Sequence, residues 1–163
     1  MKRTGRIWCF GDNIDTDLIY PGTAFRATPA ERAALVFSAN RPGWSAQVQP
    51  GDLIVAGRNF GTGSGRAAST VLVDLGIAGI VAETVNGLFL RSCINAGLPA
   101  TECPSIMTAV EEGDVIEVDF AKGTVKLADE RLISAQALPS ALIEILEAGG
   151  ILPQLARQGY IKP

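Results

Sequence analysis

Apolar residues fall in short runs separated by glycine-rich turns. Leu53-Ile54-Val55-Ala56 and Ile77-Ala78-Gly79-Ile80-Val81-Ala82 are continuously apolar, as parallel strands covered on both faces are. Between them, Ala67 to Leu75 reads as a helix closed by Gly76. A second helix is predicted near residues 86–96, with Leu88, Phe89, Cys93 and Ile94 on one side and Gly97 as its stop. Leu98-Pro99-Ala100-Thr101 starts another strand. The order strand, loop, helix, strand, helix, strand gives right-handed crossovers and a parallel sheet.

The flanks differ. Arg6 to Phe10 reads as a first strand, and Gly11 to Asp17 as a polar turn. Leu18 to Gly22 is expected to be extended and Thr23 to Thr28 to be a loop. Pro29 to Phe37 has helical spacing with proline in its first turn. Trp44 to Gly51 is irregular. Asp114 to Phe120 alternates, turns at Ala121-Lys122-Gly123 and returns as Thr124 to Leu127, which predicts a hairpin. Ser140 can cap a helix over Ala141 to Ala148 that Gly149-Gly150 stops, and Ile151 to Gln158 can add a short one. The expectation is one α/β domain over residues 1–163, a parallel central sheet with flanking helices and additional antiparallel strands.

Composition narrows the function. The 163 residues suffice for a real core, with 47% hydrophobic and 19% charged. Net charge is -3 without a basic block, which argues against nucleic acid. No apolar run approaches the roughly 20 residues of a membrane span, and no signal peptide is indicated, so the default compartment is the cytoplasm. There is no histidine, which excludes a Ser-His-Asp triad or a His-ligated metal within this chain. Its three cysteines, Cys9, Cys93 and Cys103, form no Cys-x-x-Cys pair and are expected to be buried thiols. A metal or cluster would have to come from elsewhere. The aspartates at 12, 15 and 17 miss the calcium-loop pattern, because Asp17 stands where a glycine is needed. Side-chain caps of a tight turn are the preferred reading.

The candidate chemistry lies in Gly57-Arg58-Asn59-Phe60-Gly61-Thr62-Gly63-Ser64-Gly65-Arg66. Glycines let backbone N–H groups turn toward a ligand, and the following helix adds free N–H groups and a positive dipole end. Ser64 and Arg66 sit where these effects meet, a site for a carboxylate or phosphate. The loop is no P-loop: Thr62 or Arg66 occupies the position of the required second glycine. A glycine-rich turn that only packs tightly remains the plain alternative.

Two segments together resemble one family. Gly11-Asp12-Asn13-Ile14-Asp15-Thr16-Asp17-Leu18-Ile19-Tyr20-Pro21 is similar to the opening of aconitase-type small subunits, and Gly57 to Arg66 to their "G-NFG-GSSR" loop. Gly76 to Glu83, Phe89 to Asn95 and Gly149-Gly150-Ile151-Leu152 extend the likeness. The group includes the small subunits of 3-isopropylmalate dehydratase and homoaconitase. The resemblance implies the swivelling β/β/α domain of the aconitase superfamily and a role in leucine biosynthesis. It implies a large partner subunit that carries a [4Fe–4S] cluster, in a heterodimer or heterotetramer, with no cofactor in this chain. In isolation the chain could form a homo-oligomer. The reaction would remove water from a small 2-hydroxy di- or tricarboxylic acid and add it back at the neighbouring carbon. The cluster's open iron would act as Lewis acid on the hydroxyl.

Residue by residue, Ser64 matches the family's catalytic base and Arg66 the arginine that grips a substrate carboxylate. Gly63 and Gly65 would bring N–H donors close. Gly65 departs from the family's second serine, Ala67 and Ala68 from a charged or polar pair, and Thr62 fills a variable position. Arg26 falls where relatives carry a specificity loop. Apolar residues there suit an isopropyl group and an arginine a distal carboxylate, while a solvated loop arginine is the plain alternative. A non-catalytic anion- or phosphate-binding module and a subunit that retains only a scaffold role are the competing functions.

Overall fold

A computed structural model describes residues 1–63 and 67–162, with the backbone alone at Phe25, Pro29 and Ala30. Seven strands form one curled sheet in the order β4-β3-β2-β1-β5-β6-β7. Strand β1 (Lys2–Phe10) is its axis. Its second half, Ile7 to Phe10, pairs in parallel with β2 (Leu53–Ala56), and its first half, Lys2 to Arg6, pairs antiparallel with β5 (Val115–Asp119). The sequence reading began this strand at Arg6, because Lys2-Arg3-Thr4-Gly5 lacks an apolar run. Gly5 is required there for close approach: a Cβ would stand 2.1 Å from the Gly51 carbonyl oxygen.

Strands β3 (Gly79–Ala82) and β4 (Ala100–Glu102) continue the parallel half beyond β2. Strands β6 (Thr124–Lys126) and β7 (Leu132–Ser134) continue the antiparallel half. The sheet curls until the segment after β7 reaches the far edge, where Gln136 N–H donates to the Glu102 carbonyl of β4 at 2.7 Å. The mixed α/β architecture is the one the sequence implied.

Side chains of the parallel strands alternate between two cores. Leu53 and Val55 enter one with Ile7, Val81, Phe120 and Val125. Ile54 and Ala56 enter the other with Trp8, Phe10, Ile80 and Phe89. This second core explains how the polar stretch after residue 29 is held. Trp44 is wholly buried, with its ring 4.9 Å from Phe37 and 5.8 Å from Phe10, both edge-on. Nearby, Asp52 accepts from Trp8 Nε1 and Arg6 Nη2, each at 2.7 Å. Burial raises the Asp52 pKa, but the bonds from Arg6, the Gln49 N–H and Trp8 outweigh it and hold the carboxyl below its ordinary value.

Helices α3 (Ala68–Asp74) and α4 (Gly87–Asn95) cross between the parallel strands as expected. Gly76 and Gly97 follow them with φ of 84° and 80°. Several local expectations fail. Leu18 to Gly22 is extended only at Tyr20 and Pro21. Thr16–Ile19 is a helical turn, α1, because the Asp15 side chain accepts from Leu18 N–H at 2.8 Å and caps it. A 3-10 turn, Gly22–Arg26, follows in place of the loop, and Trp44–Ala46 forms another within the stretch read as irregular. Helix α2 (Pro29–Ala34) ends earlier than predicted, with Thr28 and Glu31 closing a capping box at its start. The short helix α5 (Ile106–Ala109) was not anticipated. Ser140 does not cap α6 (Ser140–Ala148) but is its first residue, after Pro139. Helix α7 (Ile151–Arg157) follows a double-glycine turn that seats on the end of α4: a Cβ at Gly150 would stand 2.5 Å from the Asn95 carbonyl oxygen.

Candidate active site

Strands β1 and β2 end side by side, and beyond them the two motif segments run on together. Gly57 N–H donates to the Phe10 carbonyl. The Asp12 carboxylate accepts from Arg58 N–H at 2.8 Å. Asn13 N–H reaches the Arg58 carbonyl, Gly61 N–H the Ile14 carbonyl and Thr16 N–H the Thr62 carbonyl, each at 2.7 Å. On its other side the loop is stitched to the end of β3. Asn59 N–H donates to Thr84 Oγ1, Phe60 N–H to the Thr84 carbonyl, and Asn86 N–H to the Phe60 carbonyl. Residues 57–62 are thus threaded between two neighbours at the carboxyl ends of three parallel strands, where ligands of such sheets bind.

The residue types follow from this threading. Asn13 and Asn59 both adopt φ of 58°, a left-handed conformation that asparagine tolerates better than most. Their side chains bond each other at 2.9 Å. Gly57 lies over Asp12, and Gly61 (φ 77°) lies on Phe89 of α4. Gly63 has φ of 105° and is exposed above Thr16. Asp12 and Asp15 cap backbone N–H groups, as the turn reading expected.

Ser64, Gly65 and Arg66 lie outside the described residues. The chain resumes at exposed Ala67, the N-cap of α3, which makes no side-chain capping bond. Ala68 is buried in the core, and Ser69 shares a 2.7 Å hydroxyl bond with Ser92 of α4. A cleft of about 260 Å³ opens beside Ala67, with Tyr20 and Arg32 across from Thr70 and Asp74. Sequence reading passed over Arg32 because nothing local distinguishes it from any exposed helical arginine. Arg26 is exposed and lines a different depression, with Thr23, Glu31 and Leu35.

The cysteines do not suit a cluster. Cys93 packs in one core, Cys103 in the other, and Cys9 lies half-buried on β1. Burial pushes the Cys93 thiol up, raises Cys103 to about 11 with help from Glu83, and raises Cys9 with help from Glu112. Among the described residues no three His, Cys, Asp or Glu side chains converge to hold a metal ion.

The aconitase C-terminal domain model matches residues 12–104, from Asp12 of the first threaded segment to the end of the parallel half. This chain belongs to the aconitase C-terminal domain family. Members of the family resemble it from end to end. The isopropylmalate/citramalate isomerase small subunit of Methanocaldococcus jannaschii is 42% identical over 157 residues, 94% of either chain. The 3-isopropylmalate dehydratase small subunit of Halothermothrix orenii is 38% identical over 165 residues, 99% of either. The crystal structure of a 3-isopropylmalate dehydratase (leuD) from Methanocaldococcus jannaschii superposes with a TM-score of 0.87 at 32% identity. That match covers 99% of this chain and 98% of the other. The dehydratases among these relatives are hydro-lyases by name, and "small subunit" implies a larger partner. Among the described residues no helix is long and apolar enough to cross a membrane.

Proposed function

We propose that this aconitase-family chain, folded as one swivel domain over residues 1–163, is the small subunit of a cytoplasmic hydro-lyase. The enzyme interconverts 2-isopropylmalate and 3-isopropylmalate by dehydration and rehydration. The observation that carries this is the agreement over nearly the whole chain with relatives of that name. The joined motif segments support it, since residues 57–62 run between their two neighbours at one end of the sheet. In this reading Ser64 takes the proton from the carbon beside a substrate carboxylate and returns it during rehydration. Arg66 holds that carboxylate through two parallel bonds, and Gly63 and Gly65 present main-chain N–H groups to it. In this reading the large partner holds the [4Fe–4S] cluster, and the scattered placement of this chain's cysteines, in two separate cores and on β1, supports it.

The purified chain alone is expected to be colourless and inactive. Mixing it with its cluster-bearing partner should produce hydration and dehydration of a 2-alkylmalate. Cluster absorbance in the reconstituted, isolated chain would overturn this division of labour.

The relative that is also named for citramalate raises a second substrate, and homoaconitate is a third. Arg26 tests the choice. If it reads a distal carboxylate, Arg26→Val should remove turnover of the longer tricarboxylate and spare isopropylmalate. A hydrophobic pocket discriminates by only about 1–3 kcal/mol per methylene, whereas truncating one partner of a hydrogen-bonded charge pair buried by the substrate costs about 2–5 kcal/mol. An unchanged ratio of kcat/KM for the two substrates would return Arg26 to solvent.

A further inference from the structure

Seven large apolar side chains are exposed among the described residues, and one that stands alone needs no explanation. Leu88 and Leu152 do not stand alone. Both line a groove of about 580 Å³ along α4, which packs against both α3 and α7. Leu88 is 50% exposed and Leu152 63%. Val73, also exposed, shares the α3 face of Ser69 and Thr70, which form one wall. Leu88, Arg91, Ser92 and Asn95 form the matching face of α4. Ser69 is buried, and its hydroxyl shares a 2.7 Å bond with Ser92 that closes the floor. The side chains of Thr70, Arg91 and Asn95 make no hydrogen bond or ion pair among the described residues. The three helices carry one acid between them, Asp74, and it lines the separate cleft beside Ala67. The groove therefore presents an unpaired guanidinium with two exposed leucines and has no carboxylate of its own.

We propose that this groove is a docking surface for the larger subunit, and that it takes a segment which sets a carboxylate on Arg91 and aliphatic side chains on Leu88 and Leu152. This rests on the reading of the chain as a small subunit, and not on the roles given to Ser64 and Arg66. Covering an arginine strips its water, and an opposite charge must offset that loss. A second copy of this chain does not supply one. In a twofold contact the same patch faces itself, so Arg91 would meet a surface without an acid. A free small anion would satisfy Arg91 but leave both leucines in water. The position of the groove favours the larger subunit. Asn86 caps α4, and its N–H is bonded to the Phe60 carbonyl, so the Leu88 end of the groove lies beside residues 57–62. A partner that meets the carboxyl ends of the parallel strands meets Leu88 as well.

The test titrates the full chain and its variants into the purified larger subunit and reads the dissociation constant by calorimetry. Leu88→Asp and Arg91→Glu should each weaken binding roughly tenfold or more, as the loss of a covered anchor does. Added salt should weaken the wild-type complex more than the Arg91→Met complex, because only the first keeps the ion pair. Leu132→Asp is the control: Leu132 is exposed on β7, in the antiparallel half, and this variant should bind like wild type. The substituted side chains are all exposed, so the isolated variants should melt like wild type, which separates a lost contact from a lost fold. Three results overturn the proposal. Wild-type affinity in Leu88→Asp and Arg91→Glu would put the partner on another face. Equal salt dependence in wild type and Arg91→Met would remove the carboxylate. A chain that self-associates in sedimentation, and that Leu88→Asp returns to monomer, would give the groove to a second copy. A wild-type chain that does not bind the larger subunit at all would instead sink the small-subunit reading, and the proposal with it.

Discussion

Ser64→Ala is expected to lower kcat about 10²–10⁴-fold with KM little changed, the loss typical when a general base is removed. Arg66→Lys is expected to behave differently. Arg66 is proposed to hold the substrate in both ground and transition states. Lysine keeps the charge but cannot make the planar two-bond clamp. KM should therefore rise, by roughly tenfold for one charge-assisted bond. Both variants should fold and bind the partner, because the loop is tethered by main-chain bonds on either side. Gly61 and Thr62 are fastened to the segment after β1, and α3 takes up the chain from Ala67. Steady-state kinetics on the assembled enzyme decides the matter. Near wild-type kcat in Ser64→Ala would require another base, and this chain, without histidine, offers no obvious candidate.

The largest effect on stability is expected at Gly61. A Cβ there would stand 2.2 Å from the Phe89 ring and 2.6 Å from the Phe89 Cβ. Overpacking of this kind costs about 1–3 kcal/mol, and left-handed backbone in an alanine about 1–2 kcal/mol more. In a chain of this size each kcal/mol lowers the melting temperature by about 2–4 °C, so Gly61→Ala should melt roughly 10 °C lower. Trimming the ring in a Gly61→Ala/Phe89→Leu double variant should give little relief, since the Phe89 Cβ itself is a wall. Gly87→Ala is the control. A Cβ there meets nothing within 4 Å, and its melting temperature should not fall. A Gly61→Ala chain that melts like wild type would show that α4 yields and that Gly61 serves no close approach.

Local pattern revealed what local physics decides. The apolar runs at β2 and β3 became adjacent parallel strands because both faces are covered, and the glycines after α3 and α4 adopt the left-handed conformation that ends a helix. It failed where distant contacts decide. It also missed one local cap: Leu18 and Ile19 read as extended, yet the Asp15 carboxylate three positions back turns them into α1. Leu132 of β7 is exposed, so no alternation marks that strand. The two motif segments were visible separately, but nothing along the chain announces that Asn13 and Arg58 share a bond. The roles of Ser64, Gly65 and Arg66 rest on resemblance, since they lie outside the described residues.

The double pairing of β1 bears on how the chain is made. Lys2 to Arg6 leave the ribosome well before their partner strand, Val115 to Asp119. The Lys2–Glu117 bond spans 115 positions in sequence. Until then one flank of the first strand carries unsatisfied main-chain donors and acceptors, an open template for another nascent chain. Closing so long a loop also delays folding relative to helical proteins of equal length. The placement of charge answers this hazard: Lys2, Arg3 and Arg6 line the waiting edge, and like charges on two such edges repel each other. The segment that would be stickiest during synthesis is the one with the highest density of positive charge in the strand.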